Sequence, residues 1–106
     1  MIVVMNRIPV KKEYQEAFEE RFRTRVREVD QFPGFIRNMV LRPATEDNPY
    51  YVIMTLWESR EAFEAWTQSE AFERGHRRAR ENAQPEMFAG RNVFEMYEVI
   101  MDTEDE

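Results

Sequence analysis

The chain has 106 residues and a formal net charge of −6, with 42% hydrophobic residues, 13% aromatic residues and no cysteine. This length suits one domain, and the lack of cysteine excludes disulfides, thiolate metal sites and cysteine nucleophiles. The acidic balance argues against binding to nucleic acid. No apolar run reaches the ~20 residues of a membrane span, so we expect a cytoplasmic protein that binds neither nucleic acid nor a membrane.

The first half of the chain predicts a strand, a helix and two more strands. Residues 2–10 are rich in β-branched side chains, whereas residues 12–29 place large apolar side chains at steps of three and four. Residues 35–41 and 50–57 predict two strands joined by a polar loop. The apolar positions of the helix are Tyr14, Phe18, Phe22, Val26 and Val29.

The second half predicts another helical segment and a last strand. Ser59 is expected to cap a helix that runs to about residue 81, and Ser69 is suited to cap it again after a joint at 67–68. Residues 92–101 predict the last strand. The order β-α-β-β-α-β is typical of a ferredoxin-like α+β domain, in which one antiparallel sheet carries the helices on one face.

We expect residues 1–101 to form this single domain and residues 102–106 to form a flexible acidic tail. The predicted strands carry apolar side chains on both faces. In the second strand, strict alternation puts four residues on one face: Phe35, Arg37, Met39 and Leu41. A sheet that is apolar on both sides needs cover on both sides, so we expect a homodimer whose two sheets form a dimeric α+β barrel.

His76 is the only histidine and lies in a helix-forming segment rich in arginine. Such a residue is most often structural or exposed, but it can also ligate a metal or act as a base. Gly75 beside it weakens a helix by about 1 kcal/mol relative to alanine, which is tolerable if a bulky group must approach the backbone. Without a second histidine or a cysteine there is no ordinary zinc site, and a single imidazole suits haem, which supplies most of its own ligands.

Four other residues have both an ordinary and a functional interpretation. Asn6 lies within an apolar strand face, so its amide either joins a buried hydrogen-bond network or binds a ligand. Trp66 either fills the core or forms a flat wall against a planar ligand. Arg21 and Arg25 lie one turn apart on the first helix, where they either pair with nearby carboxylates or bind acidic groups of a ligand.

These residues together resemble a known family. The combination of Asn6, Trp66 and His76, with the stretches ERFRTR and FPGF, is similar to the IsdG-type haem-degrading monooxygenases. These enzymes belong to the wider antibiotic biosynthesis monooxygenase group of dimeric ferredoxin-like barrels. The strongest motif is LWESREAFEAWTQSEAFERGH, residues 56–76, and the resemblance covers about residues 1–101. Cofactor-free, quinol-oxidising relatives often carry a histidine at the position of Trp66, and this chain does not.

The resemblance implies a role for each of these residues. His76 would ligate the haem iron, and Asn6 would form a hydrogen bond on the opposite side, where dioxygen binds. Trp66 would press on the porphyrin and force it out of plane, and Arg21 and Arg25 would lie near the propionates. The other haem contacts are expected from three apolar side chains: Phe22, Phe72 and Phe88.

The function implied by the resemblance is the opening of the porphyrin ring with dioxygen and the release of iron, with haem as both substrate and cofactor. Electrons are expected from an external donor, an unidentified reductase. Two alternatives stay open. One is a cofactor-independent monooxygenase that acts on a quinol or an aromatic polyketide-like substrate, and the other is a non-enzymatic dimeric module that binds haem. Haem binding would distinguish the haem-degrading enzyme from the first alternative. Loss of the haem in the presence of reductant and air would distinguish it from the second.

Overall fold

Within residues 1–23 and 28–105, which the computed structural model describes, the chain forms four strands and three α-helices. The strands are β1 (Ile2–Pro9), β2 (Phe35–Leu41), β3 (Tyr50–Trp57) and β4 (Val93–Glu98), and the helices are α1 (Gln15–Arg23), α2 (Arg60–Thr67) and α3 (Glu70–Glu81). Short 3₁₀ turns lie at Lys12–Tyr14, Glu28–Gln31, Pro85–Met87 and Thr103–Asp105.

The four strands form one antiparallel sheet in the order β2-β3-β1-β4. On β1 the alternate residues Ile2, Val4 and Ile8 are buried, so the helices cover the face on which these residues lie. The connection from β1 to β2 through α1 and that from β3 to β4 through α2 and α3 both lie on this side of the sheet. The predicted ferredoxin-like α+β fold with helices on one face is therefore confirmed.

The first helical segment is less regular than its apolar spacing predicts. It begins with the 3₁₀ turn Lys12–Tyr14 and continues as α1, and Val29 lies in the second 3₁₀ turn. The predicted continuation through Val26 falls on residues 24–27, which lie outside the described residues. The apolar face is confirmed at Phe18, which is only 3% exposed and is buried against the sheet.

The predicted joint in the second helical segment is confirmed, since the segment divides into α2 and α3. Ser59 Oγ accepts a hydrogen bond from the amide of Ala62, and Ser69 Oγ accepts one from the amide of Phe72, both at 3.1 Å. The first amides of a helix lack partners within it, so a side-chain acceptor stabilises the helix start. The two serines therefore fix where α2 and α3 begin.

The predicted alternation of β2 is wrong at its first residues. The step from Phe35 to Arg37 on β2 matches a step of only one residue on β3, from Trp57 to Leu56. This irregularity is a β-bulge, which adds one unpaired residue and shifts the alternation. Phe35 therefore faces the helices, with its ring 5.5 Å from that of Trp57, and it does not share a face with Arg37.

The turn before β2 requires glycine. Gly34 has a φ of +87°, a conformation that side chains other than glycine rarely adopt. A Cβ at this position would also collide with Ala62 of α2. The turn thus lets α2 approach the start of β2 closely, and the carbonyl of Gly34 accepts a hydrogen bond from the amide of Glu58 at 2.8 Å.

The residues buried between the helices and the sheet form two separate clusters. The α1 cluster consists of Ile8, Val10, Phe18, Tyr51 and Met87. The Trp57 cluster consists of Ile2, Val4, Val29 and Trp57. Along β1 one cluster ends at Val4 and the other begins at Ile8, so the residue between them on this face is Asn6.

The other face of the sheet carries none of the described helices. Pairing between strands puts Val3, Met5 and Met54 on this face, where they are half-buried. Val93 and Tyr97 of β4 lie on the same face and are 38% and 48% exposed. The face is therefore largely apolar, and the predicted second copy of the chain against it stays a prediction.

Candidate active site

Asn6 lies at the middle of β1, on the face that the helices cover. Its neighbours across the sheet are Ile53 on β3 and Phe94 on β4. Asn6 and Ile53 are half-buried, and Phe94 is 57% exposed although it lies on this face. The gap between the two core clusters is therefore an apolar surface with the amide of Asn6 at its centre.

Trp66, near the end of α2, packs on the Trp57 cluster. Its ring lies edge-on to Phe32 at 5.3 Å between centroids and is stacked with Trp57 at 6.4 Å. Trp57 is itself fully buried, and its Nε1 donates a hydrogen bond to Thr55 Oγ1 at 3.0 Å. Because these neighbours are fixed, the half-buried indole of Trp66 has a defined plane and is partly accessible.

His76 lies one helical turn after Phe72 on α3. The two ring centroids are 4.1 Å apart, and the Phe72 ring lies edge-on to Trp66 at 5.7 Å. The rings of Trp66, Phe72 and His76 therefore form a continuous chain from the Trp57 cluster to the surface. His76 is exposed at the end of this chain, so its imidazole is accessible to a ligand.

The helix that carries His76 has little cover. Every residue from Glu73 to Glu86 is exposed, between the half-buried Phe72 and the fully buried Met87. A Cβ at Gly75 would meet no atom within 4 Å. The space beside Gly75 is compatible with the approach of a bulky group, and α3 contacts α2 and the 3₁₀ turn Glu28–Gln31.

Arg21 links α1 to the end of α3. Its Nη2 donates a hydrogen bond to the main-chain carbonyl of Asn82 at 3.2 Å and another to Gln84 Oε1 at 3.3 Å. Asn82 is the C-terminal cap of α3, where the last carbonyls of a helix carry partial negative charge. The guanidinium predicted to bind a propionate thus contacts acceptors of the protein itself.

Phe22 and Phe88 both pack on Phe18, at centroid distances of 5.1 and 6.2 Å. They therefore belong to the α1-cluster side of the gap, whereas Trp66 and Phe72 belong to the Trp57-cluster side. The predicted site residues thus form two groups attached to the clusters that flank Asn6. Arg25, the remaining predicted residue, lies outside the described residues.

A charged network fixes α1 on the sheet beside the gap. Arg42 donates from Nε and Nη2 to the two oxygens of Glu19 at 2.8 and 2.6 Å, and the Tyr51 hydroxyl donates to Glu19 Oε2 at 2.5 Å. The hydrogen bonds from Arg42, and then that from Tyr51, lower the pKa of Glu19 to about 2. Burial, and then the hydrogen bond to Glu19, raise the pKa of Tyr51 to about 12. At neutral pH the carboxylate is therefore charged and the phenol neutral.

Sequence reasoning missed two parts of this arrangement. Alternation assigns Phe94 to one face of the last strand, but only the register places it opposite Asn6, where its ring stacks on Phe63 of α2 at 6.1 Å. The contact between Arg21 and Asn82 joins residues 61 positions apart, and no local pattern signals it. Both features depend on how separate elements meet.

The described part of the chain holds no group of three or more histidine, cysteine, aspartate or glutamate side chains that could bind a metal ion. A surface depression of about 430 Å³, lined mainly by residues 43–49 with Lys11 and Lys12, contains none of the predicted site residues. The prediction that His76 ligates a group that brings its other ligands with it is not tested by these observations.

Comparison with known proteins identifies the family of this chain. Residues 1–78 match the sequence profile described as antibiotic biosynthesis monooxygenase. The chain belongs to the antibiotic biosynthesis monooxygenase family. The family predicted from the resemblance is thus confirmed. In the part of the monooxygenase that the structure describes, no helix has the length and apolarity needed to cross a membrane.

The monooxygenase has relatives of known name. It is 36% identical over 103 residues, covering 95% of this chain and 90% of the relative, to a "Heme oxygenase (mycobilin-producing)" of Mycobacterium tuberculosis. It is 38% identical over 77 residues, covering 72% of this chain and 73% of the relative, to a "Heme oxygenase (staphylobilin-producing)" of Staphylococcus haemolyticus. A structure of the haem degrader MhuD from M. tuberculosis, with two haems bound in its active site, matches with a TM-score of 0.74 and 30% identity, covering 96% of this chain and 98% of that one.

Proposed function

We propose that this monooxygenase degrades haem. It binds haem through His76 and opens the porphyrin ring with dioxygen and external electrons, releasing iron. The observation that carries the proposal is the chain of rings Trp66, Phe72 and His76, which ends at an exposed imidazole. The proposal is supported by the two relatives named as haem oxygenases and by the structure of MhuD with haem bound.

The residues around the gap fit a flat and largely apolar substrate. A pocket of this kind needs apolar walls and a few polar groups that fix orientation. Phe22 and Phe88 lie on one side of Asn6, Trp66 and Phe72 on the other, and Ile53 and Phe94 beside it on the sheet. In the proposed complex these side chains exclude water from the porphyrin, which leaves Asn6 as the polar group among them.

In this proposal His76 would hold the haem iron. Haem would supply the redox-active iron and also the ring that is oxidised. A neutral imidazole would coordinate the iron through one ring nitrogen. The Phe72 ring, 4.1 Å from the imidazole, restricts its rotation and so helps to set the orientation of the ligand plane.

Trp66 is proposed to distort the substrate. Its indole rests on Trp57 and Phe32, which are held in the core, so the indole cannot yield when a planar ring is pressed against it. A porphyrin bound against this indole would therefore meet a rigid surface, and Trp66 would favour a distorted form of the substrate.

Asn6 is proposed to act on the side of the haem opposite His76. Its amide carries two donor hydrogens and is surrounded by apolar side chains, where a hydrogen bond is stronger than in water. In this role it orients dioxygen. Arg25 is proposed to contact a propionate, since a guanidinium matches a carboxylate.

The proposal includes two partners. The apolar open face of the sheet supports a homodimer, in which each copy covers the face of the other. A separate reductase supplies the electrons, because the chain has no cysteine to hold a cluster or form a redox disulfide. The predicted cytoplasmic location stays a prediction.

Aerobic reduction of the haem complex tests the proposed activity. When ascorbate is added to the complex in air, we expect the Soret band to bleach while an iron chelator develops colour. A Soret band that persists would indicate a haem-binding module without the activity. Oxygen uptake with a quinol in the absence of haem would instead indicate the cofactor-independent chemistry.

The Asn6→Ala variant tests the role of the amide. We expect it to bind haem with nearly unchanged affinity and to degrade it about a hundredfold more slowly or worse, as the loss of an oriented donor does in other enzymes. Asn38→Ala is the matched control, because Asn38 carries an amide on the same sheet face but on the edge strand β2. Equal degradation rates in the Asn6→Ala variant and the unmodified protein would contradict this role.

A further inference from the structure

The helix that carries His76 touches α2 and the 3₁₀ turn Glu28–Gln31 but is exposed over most of its length. From Glu73 to Glu86 every residue is exposed, so no side chain of this stretch packs into the core. At the beginning of α3 the cap of Ser69 and the packing of Phe72 hold the helix. At the far end the chain becomes buried again only at Met87. The C-terminal half of α3, including His76, therefore needs another contact to fix it.

Arg21 supplies such a contact. Its Nη2 donates hydrogen bonds to the carbonyl of Asn82 and to Oε1 of Gln84, so it joins α1 to the C-terminal cap of α3 and to the loop that follows. The guanidinium also meets the negative end of the helix dipole, where a cation is favourable. Among the described residues this guanidinium has no other acceptor. Both of its hydrogen bonds therefore go to the end of α3 and the loop that follows.

The element on which Arg21 lies is itself rigid. Phe18, one turn earlier, is buried in the α1 cluster, and Glu19 is bound by both Arg42 and Tyr51. Arg21 therefore extends from a fixed helix to a loosely packed one. Because Asn82 follows His76 by six residues, the contact lies about 9 Å along the helix axis from the imidazole.

We propose that Arg21 is a positioning residue for His76, which acts by holding the end of α3 and not by binding a propionate of the substrate. The effect on the iron rests on the proposed haem ligation by His76. The tether, which is the contact of Arg21 with Asn82 and Gln84, exists in the protein without a ligand and does not depend on that proposal. Loss of the tether lets the last turns of α3 fray and move, and the imidazole then meets the iron with a less defined distance and angle.

Amide hydrogen exchange of the ligand-free protein tests the tether. In Arg21→Ala and in Gln84→Ala we expect the amides of residues 76–81 to exchange about three to ten times faster, as the loss of one net hydrogen bond implies. Arg23→Ala is the matched control, because Arg23 also lies on α1 but its ion pairs, within the part of the chain that the structure describes, are with Glu19 and Glu20 of the same helix. Unchanged exchange in both Arg21→Ala and Gln84→Ala would overturn the tether, whether or not the protein degrades haem.

Two substrates separate positioning from carboxylate binding. If Arg21 acts through α3, Arg21→Ala weakens the binding of haem and of haem dimethyl ester by the same factor, because the ester has no free carboxylate. A loss confined to haem would show direct contact with a propionate and overturn the proposal. The iron–histidine stretching band in the resonance Raman spectrum of the ferrous complex should also broaden or shift in Arg21→Ala and Gln84→Ala but not in Arg23→Ala. A band that is the same in all three variants would contradict the effect on His76.

Discussion

The two ends of the helix-covered sheet differ in how they are held. At the α1 cluster, Phe18 and Tyr51 are buried, and the carboxylate of Glu19 accepts hydrogen bonds from Arg42 and Tyr51. At the other end the buried Trp57 supports an outward chain of rings that finishes at an exposed His76. The charged groups at the first end bind one another, whereas the second end presents exposed rings, where we propose that haem binds.

The division between these regions separates stability from function. Buried, fully bonded groups determine the free energy of unfolding, whereas loosely held elements open locally at little cost. Substitutions in the α1 cluster or at Trp57 should therefore reduce global stability. Substitutions along α3 should leave global stability nearly unchanged and affect the proposed haem binding.

The largest expected effect on stability follows removal of the buried indole. Trp57→Ala leaves a large cavity under α2 and should lower the free energy of unfolding by about 3–5 kcal/mol in a urea titration. Trp66→Ala removes the same kind of side chain from a half-buried site and should cost about half as much. Equal losses at the two positions would show that Trp66 is as much a core residue as Trp57.

An intermediate effect is expected at Glu19. Glu19→Gln should lower the free energy of unfolding at pH 7 by about 1–3 kcal/mol, because Arg42 and Tyr51 lose a charged acceptor. The control Glu20→Gln breaks an exposed ion pair with Arg23 and should change the free energy of unfolding by less than about 0.5 kcal/mol.

The same carboxylate sets a pH dependence. The folded pKa of Glu19 is about 2 against an ordinary value of 4.5, so its contribution is complete above pH 4.5 and is lost as the pH falls towards 2. The folded pKa of Tyr51 is about 12 against 10.0, so its contribution is complete below pH 10 and is lost as the pH rises towards 12. Urea titrations at several pH values should show a shallower acid limb in Glu19→Gln. An acid limb as steep as that of the unmodified protein would contradict the assignment.

The smallest expected effect compares the two serine caps. Ser59→Ala and Ser69→Ala each remove one cap bond worth about 1 kcal/mol. Because α2 packs on the Trp57 cluster, the loss at Ser59 should appear in the global free energy of unfolding. The loss at Ser69 should appear mainly as faster hydrogen exchange in the first turns of α3. Equal global losses would mean that α3 unfolds only with the whole domain.

Much of the fold follows from local patterns in the sequence. The β-branched runs at β1 and β3 and the two cap serines predicted their elements, since strand propensity and capping act over a few residues. The bulge after Phe35 was not predictable, because the residue types around it are those of an ordinary strand. The shift appears only in the pairing of β2 with β3. The last strand was predicted as 92–101 but ends at Glu98, because Glu98 pairs with Ile2 and β1 begins there.

The candidate site was predictable where its contacts are local. Phe72 and His76 lie four residues apart on one helix, so their ring contact follows from helical spacing. The partners of Arg21 and the position of Phe94 opposite Asn6 depend on the register and packing of distant segments. A sequence therefore indicates which side chains are chemically suited to a site more readily than what holds each of them there.

Titration of the protein with hemin tests the central claim most directly. The unmodified protein should give a saturable shift of the Soret band, and His76→Ala should weaken binding by about a hundredfold or more, a larger loss than a change in an outer-shell residue causes. Arg77→Ala, the next exposed residue of α3, should bind as the unmodified protein does. If His76→Ala binds hemin with the same affinity and the same spectrum, the imidazole does not ligate the iron and the account is wrong.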